Sequence, residues 1–124
     1  MPDLNKTILI AEDEVPMARA LDLKLSSEGF TVHVAHNGEE AIELYKEHKP
    51  DLILLDLIMP KKDGFMVLDE LKELGNTAPV LVASNLSQKV DQMKAEEKGA
   101  KEYYVKSDTP LVKIVEKVRG NLGL

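Results

Sequence analysis

Residues 8–14 read ILIAEDE: three apolar side chains and Ala11 run straight into Glu12, Asp13 and Glu14. Adjacent carboxylates repel, and each loses solvation when held near a core. A solvated turn after a strand would tolerate them, and so would a site built to receive a cation. Polar residues also stand where other apolar runs stop: Asp56 after DLILL, Ser84 after PVLVA and Lys106 after EYYV. Singly, each has an ordinary explanation as a turn residue, a helix cap or a solvated charge. Gathered on one rim, they would combine carboxylates, a hydroxyl and an ammonium. Carboxylates with no His or Cys among them form a hard oxygen site, suited to Mg²⁺ rather than zinc. Such an ion pairs naturally with a phosphoryl group, while Lys106 could hold one phosphoryl oxygen and Ser84 donate to another. The chain has neither GxxxxGK[ST] nor GxGxxG, so a bound nucleotide is poorly supported as the phosphoryl carrier. A carboxylate of the protein can accept the group itself.

Whether these residues meet depends on the elements that carry them. Five segments read as strands: 6–11, 31–35, 51–55, 79–83 and 102–105. The first, third and fourth are nearly continuous apolar runs, the pattern of parallel strands covered on both faces. TVHVA alternates, which suits an edge. Helical spacing fills the gaps, with Met17, Ala18, Leu21 and Leu25 in the first helix and Ala41, Leu44 and Tyr45 in the second. Pro16 in an opening turn, Gly29 past an end, and Asn37 followed by Glu40 are start and stop signals. Phe65, Leu68 and Leu71 mark a third helix closed by Gly75, and Leu86, Val90 and Met93 a fourth ended by Gly99. The fourth has a thin apolar stripe among many charges and is expected to be the least firmly docked. Thr109 and Pro110 open the last, whose apolar face is Leu111, Ile114, Val115, Val118 and Leu122. Strand and helix alternate throughout, which predicts an α/β fold: a doubly wound parallel sheet with helices on both faces. Ligands of such sheets sit beyond the carboxyl ends of the strands, where strand order reverses.

Composition narrows the classes. The 124 residues suit one domain spanning 1–124, and 44% hydrophobic with 31% charged residues is an ordinary globular balance. No apolar run approaches the roughly 20 residues of a membrane helix, so membrane insertion is not expected. MPDLNKT is too polar for a secretory signal. The absence of cysteine excludes disulfides and thiolate metal sites and fits a cytoplasmic protein. A net charge of −6 argues against direct nucleic-acid binding.

The stretches ILIAEDE, DLILLDLIMPKKDG, VLVASN and EYYVKS resemble, in order, the signature segments of response-regulator receiver domains of two-component signalling, and the likeness covers essentially the whole chain. The resemblance implies the flavodoxin-like (βα)5 fold with strand order 2-1-3-4-5. It implies Asp56 as phosphoacceptor, taking a phosphoryl from a phosphohistidine on a histidine kinase or histidine phosphotransfer protein. Asp13, Asp56, the backbone carbonyl of Ile58, and Glu12 directly or through water would bind Mg²⁺, or Mn²⁺ in its place. Lys106 would neutralise the acyl phosphate. Ser84 would swing toward it, and Tyr103 matches the switch aromatic that turns inward when the loop ahead of the fourth helix moves. The dull alternative for Tyr103 is an aromatic packed against the last helix.

Three departures from the family pattern stand out. Glu12 occupies a position where Asp is frequent, and Lys62 one where Met is common. Ser107 follows the lysine, where the family usually has proline joined by a cis bond. A cis bond to a non-proline costs about 2.5–4 kcal/mol; the expectation leans toward cis because the phosphoryl constrains the lysine. Ile58, Asn85 and Leu86 flank the site, and apolar Ile58 and Leu86 would obstruct an attacking water, predicting slow self-dephosphorylation. His33, His36 and His48 are read as structural or exposed, away from the rim groups.

The expectation is a stand-alone phosphorylatable switch, not an enzyme beyond intrinsic phosphotransfer and self-dephosphorylation. Its output partner would dock on the fourth helix, fifth strand and fifth helix, with the chain a monomer or a weak phosphorylation-linked dimer. Rival readings are a receiver cut from a longer regulator, which the start at Met1 disfavours, and a phosphorylation-independent interaction module. A metal-dependent phosphatase usually has a second Asp two residues after its nucleophile, where Ile58 stands here.

Overall fold

A computed structural model describes residues 4–124, so residues 1–3 of the expected domain lie outside the described residues. The strands are β1 (Thr7–Ala11), β2 (Thr31–Ala35), β3 (Leu52–Leu55), β4 (Val80–Ser84) and β5 (Glu102–Val105). Between and after them come α1 (Val15–Ser27), α2 (Gly38–His48), α3 (Gly64–Glu73), α4 (Lys89–Glu97) and α5 (Leu111–Asn121). All strand pairs are parallel, in the order β2-β1-β3-β4-β5. This is the expected doubly wound flavodoxin-like arrangement, with β2 and β5 at the edges.

The apolar runs split cleanly between two layers because successive strand residues face opposite sides. Leu9, Ile53, Leu55, Val80 and Val82 face one core shared with Ala41, Ile42, Val67, Leu68, Leu71 and Ala95 of α2, α3 and α4. Ile8, Ile10, Leu52, Leu54 and Leu81 face the other, shared with Leu21 and Leu25 of α1 and Ile114, Val115 and Val118 of α5. Each of these large side chains adds about 1.5–3 kcal/mol by leaving water, so the central strands form a stiff platform. The helix signals act largely as read. Asn37 accepts from the Glu40 N–H at 2.8 Å, and the Glu40 carboxylate reaches back to the His36 N–H at 3.3 Å.

Two expectations fail. Among the described residues every peptide bond is trans, including Lys106–Ser107. Lys106 opens a 3₁₀ turn, Lys106–Asp108. The Thr109 hydroxyl donates to the Val105 carbonyl at 2.8 Å. Lys106 reaches the rim from this turn without the cis penalty. Thr109 therefore ties the turn rather than capping α5, whose N-cap is Pro110.

The second failure concerns α4. Val90 and Met93 were expected to dock it, yet they are 64% and 51% exposed, and Ala95 is the buried residue of this helix. Leu86 lies before the helix and packs on the α2–α3–α4 core. Polar contacts do the rest: Lys98 donates to both Asp69 carboxylate oxygens at 2.9 Å, and the Lys94 ammonium stands 4.2 Å from the Phe65 ring centre. Exposed charge pairs contribute little and are screened by salt, so α4 is the weakly held element that its composition suggested. Asp69→Asn is expected to speed amide hydrogen exchange in residues 89–97 severalfold, and added salt to do the same to the parent chain. Exchange in β1 and β3 should be unchanged; equal acceleration there would show a global rather than a local effect.

Candidate functional site

Strand order reverses between β1 and β3, and the register aligns their ends. Ala11 pairs with Leu55, and the Asp56 N–H donates to the Ala11 carbonyl at 2.9 Å. Glu12 and Asp56 therefore emerge side by side at the carboxyl edge of the sheet. Carboxylate oxygens of Glu12, Asp13 and Asp56 lie within 4.8 Å of one another, Glu12 and Asp56 buried and Asp13 more open. On the far side of β3, Ser84 ends β4 fully buried and pairs with Val105, which places Lys106 one residue further along.

Lys106 crosses this crevice. Its ammonium donates to Asp56 Oδ2 at 2.9 Å and to Glu14 Oε1 at 3.1 Å, and it forms a close ion pair with Glu12. The lysine side chain is 7% exposed. The other Asp56 oxygen accepts from the Ile58 N–H at 3.3 Å. Ser84 Oγ accepts from the Leu86 N–H at 3.3 Å, and the Tyr103 hydroxyl donates to the Leu86 carbonyl at 2.7 Å. A hydrogen-bonded path thus runs from the buried serine through the β4–α4 loop to Tyr103. Tyr103 faces the α2–α3–α4 core and Tyr104 the α5 side, so Tyr103 is not an aromatic packed against the last helix.

Burial pushes the Glu12 carboxyl up to about 7, against the opposing hydrogen bonds from Lys106 and the Glu14 N–H. Burial also opposes the Lys106 charge, but hydrogen bonds to Glu12 and Asp56 outweigh it and hold the ammonium above its ordinary range. Burial raises the Tyr103 hydroxyl as well.

The structure thus brings together Glu12, Asp13, Asp56, Ser84 and Lys106. Ile58 is 53% exposed beside them and Asn85 is exposed. Leu86 is turned into the core, which leaves Ile58 as the exposed one of the two apolar flanking residues. Two neighbours were missed. Glu14 is a third carboxylate on Lys106, and its signal was already present in the EDE triplet. His36 was read as remote, yet its Nδ1 lies 3.2 Å from the Glu12 carbonyl oxygen. It directly follows β2, and β2 adjoins β1, so the strand-end rule that found the others reaches it too. His33 and His48 do stand apart, stacked at 3.6 Å with an 11° interplanar angle.

A parallel sheet with an acidic crevice at its β1/β3 switch point, bridged by a lysine and flanked by a buried hydroxyl, is the arrangement of a signalling receiver. Residues 8–119 match the sequence model of the response regulator receiver domain, and the chain belongs to that family, the receiver of two-component signalling. It is 32% identical to the probable transcriptional regulator ycf27 of Porphyra purpurea, across 100% of this chain and 54% of that protein. It is 35% identical to the alkaline phosphatase synthesis transcriptional regulatory protein PhoP of Bacillus subtilis, across 86% of this chain and 45% of that one. The chain therefore spans about half the length of these curated relatives. Among solved structures, it resembles the CheX–CheY–BeF3–Mg complex of Borrelia burgdorferi with a TM-score of 0.85 and 33% identity, covering 93% of this chain and 87% of that one. It also resembles the BeF3-activated receiver domain of Klebsiella pneumoniae RstA, with a TM-score of 0.87 and 28% identity over 94% and 97%.

The raised Glu12 carboxyl has a defined consequence for stability. Between the ordinary carboxylate range and about 7 the folded chain holds a proton that the unfolded chain has lost. The stabilisation is present in full below that window and is lost as pH rises through it. Urea unfolding of the parent chain is expected to lose stability relative to Glu12→Gln from about pH 5 to about pH 8. Parallel pH profiles for the two chains would show that Glu12 is ionised throughout.

Proposed function

We propose that Asp56 accepts a phosphoryl group from a phosphohistidine on a partner kinase or phosphotransfer protein, and that the acyl phosphate switches the surface around α4. The observation that carries this is the Asp56 carboxylate, buried, 2.9 Å from the Lys106 ammonium and clustered with Glu12 and Asp13. An Asp56 oxygen would attack the phosphorus, the P–N bond would break, and the imidazole would leave with the bonding electrons. Lys106 offsets the negative charge that then accumulates on the aspartyl phosphate.

The donor set fits Mg²⁺: hard oxygen atoms, an open side at Asp13, and a carboxylate surplus that a single lysine does not neutralise. Asp13, Asp56, the Ile58 carbonyl, and Glu12 directly or through water would hold it. Charge neutralisation at the phosphoryl oxygens is the chemistry it supplies there. The buried Ser84 hydroxyl is placed to turn toward the phosphoryl. Its bond to the Leu86 N–H, and the Tyr103 bond to the Leu86 carbonyl, would carry that movement into the loop that precedes α4.

A weakly docked α4 is a suitable output element, because little burial must be undone to move it. Exposed Val90 and Met93 on α4 and Val112 on α5 give a downstream protein partner apolar contacts on the α4–β5–α5 face. The chain acts as a cytoplasmic receiver, with no enzymatic turnover beyond its own phosphotransfer and dephosphorylation. The greater length of the curated relatives favours a second reading of its context, in which this receiver is joined to an output domain. The mass of the protein in its native cell distinguishes that from a stand-alone receiver.

Incubation with acetyl phosphate and Mg²⁺ is expected to add one phosphoryl group, read by intact mass. The label should disappear in Asp56→Asn and on removal of the metal by chelation. A label that survives Asp56→Asn would move the acceptor elsewhere, and a parent chain that takes no label would leave an interaction module. The exposure of Ile58, against the packing of Leu86, makes Ile58 the residue that shields the phosphoryl from water. Ile58→Asn should therefore shorten the lifetime of the labelled form severalfold, and an unchanged lifetime would remove that role.

A further inference from the structure

The stretch from Asp56 to Gly64 carries both the phosphoacceptor and the Ile58 carbonyl, so its path decides the site's geometry. Leu57 and Met59 anchor its first half in the core, at 2% and 8% exposure. Its second half contains an unfavourable turn. The Lys62 N–H donates to the Pro60 carbonyl at 2.8 Å, closing a three-residue turn around Lys61, whose φ is +66°. A lysine has no intrinsic preference for that region, and such turns persist only where their surroundings hold them.

Two glycines do the holding. At Gly64, the first residue of α3, an added Cβ would stand 2.5 Å from the Asp56 carbonyl oxygen and 2.6 Å from the Leu57 Cα. Gly38 opens α2 from the other side. A Cβ there would overlap the Lys62 carbonyl oxygen outright and lie 2.6 Å from the Lys62 Cβ. Its φ is not in the left-handed region; the glycine is needed for space. Lys62 is also ion-paired to Glu70 of α3, so the turn is seated between α2 and α3. Lys62, a surface change without meaning in the sequence, is the residue caught in this seat.

We propose that Gly38 is a positioning residue for the metal site: its bare Cα is the seat of the Pro60–Lys62 turn, and that seat fixes the backbone from Asp56 to Gly64. The inference rests on the Mg²⁺-dependent phosphoacceptor reading of the same rim and assigns part of the site's precision to α2, which supplies no ligand. A displaced turn cannot be absorbed at Gly64, which is already pressed against Asp56, nor at Leu57 and Met59, which are plugged into the core. The Ile58 carbonyl and the Asp56 carboxylate are left to move.

Mg²⁺ binding, followed by amide chemical shifts during titration with MgCl₂, separates this role from a purely structural one. Gly38→Ala is expected to weaken Mg²⁺ binding by about 10-fold, the scale seen when the surroundings that orient a metal ligand are lost. Gly120→Ala is the control, because a Cβ at Gly120 in α5 meets nothing within 4 Å; its affinity should match the parent's. Lys62→Gly, which frees the turn without a clash, should weaken binding in the same direction by a smaller factor, and it decides the matter if Gly38→Ala does not fold. Parent-like affinity in folded Gly38→Ala, or in Lys62→Gly where that chain alone is folded, would overturn the proposal. A parent chain with no Mg²⁺-dependent shifts at all would instead sink the phosphoacceptor reading.

Discussion

Negative charge is crowded at one end of this sheet, and a single ammonium balances part of it. Glu12 and Asp56 are almost completely enclosed, and Asp13 stands within 4.8 Å of both. Such groups lose most of their hydration without gaining a neutral environment. Lys106 answers by contacting Glu12, Glu14 and Asp56 together. The balance is incomplete, with three carboxylates on one ammonium, and burial pushes the Glu12 carboxyl up to about 7 in spite of its hydrogen bond to Lys106. A site left short of positive charge suits a cation, and a lysine that already touches Asp56 suits the phosphoryl group proposed for that carboxylate. The proposed chemistry follows from that shortfall.

Holding such a cluster together requires a support that does not yield. The parallel sheet provides it, since β1, β3 and β4 are buried on both faces and end together at the crevice. The parts that must respond are attached differently. Ser84 is the last residue of a buried strand, and its hydroxyl is bonded to Leu86 in the loop that leads to α4. Helix α4 beyond it is held by a salt bridge, a cation–π contact and one buried alanine. Strong apolar packing under the site and weak polar packing beside it would let the charge proposed to arrive at Asp56 move a surface without disturbing the core. The close approaches at Gly38 and Gly64 extend that support into the segment that follows Asp56.

Much of this was legible in the chain. The two-sided apolar runs announced parallel strands, the helical stripes of α1 and α5 announced their buried faces, and the strand-end rule led to Asp13, Asp56, Ser84 and Lys106. These features succeed because burial and periodicity are local properties of a sequence. The failures involve a third party. Val90 and Met93 look like a docking stripe, but the space above β4 and β5 is filled by Leu86, Ala95 and Tyr103 instead. Ser107 suggested a cis bond by comparison with proline, while a 3₁₀ turn tied by Thr109 delivers the lysine with every bond trans. His36 was read as away from the rim groups, although the strand it follows adjoins β1.

The sequence by itself determined the alternation of strands and helices, the two-sided core and the residue types at each strand end, because hydrophobic spacing and chain order specify them directly. Only the tertiary structure decided which carboxylates share the lysine, where Leu86 and Tyr103 turn, and that a glycine opening α2 must press against Lys62. Those outcomes depend on distances between segments far apart in the chain, and a close approach leaves no mark in the sequence beyond the small residue that permits it.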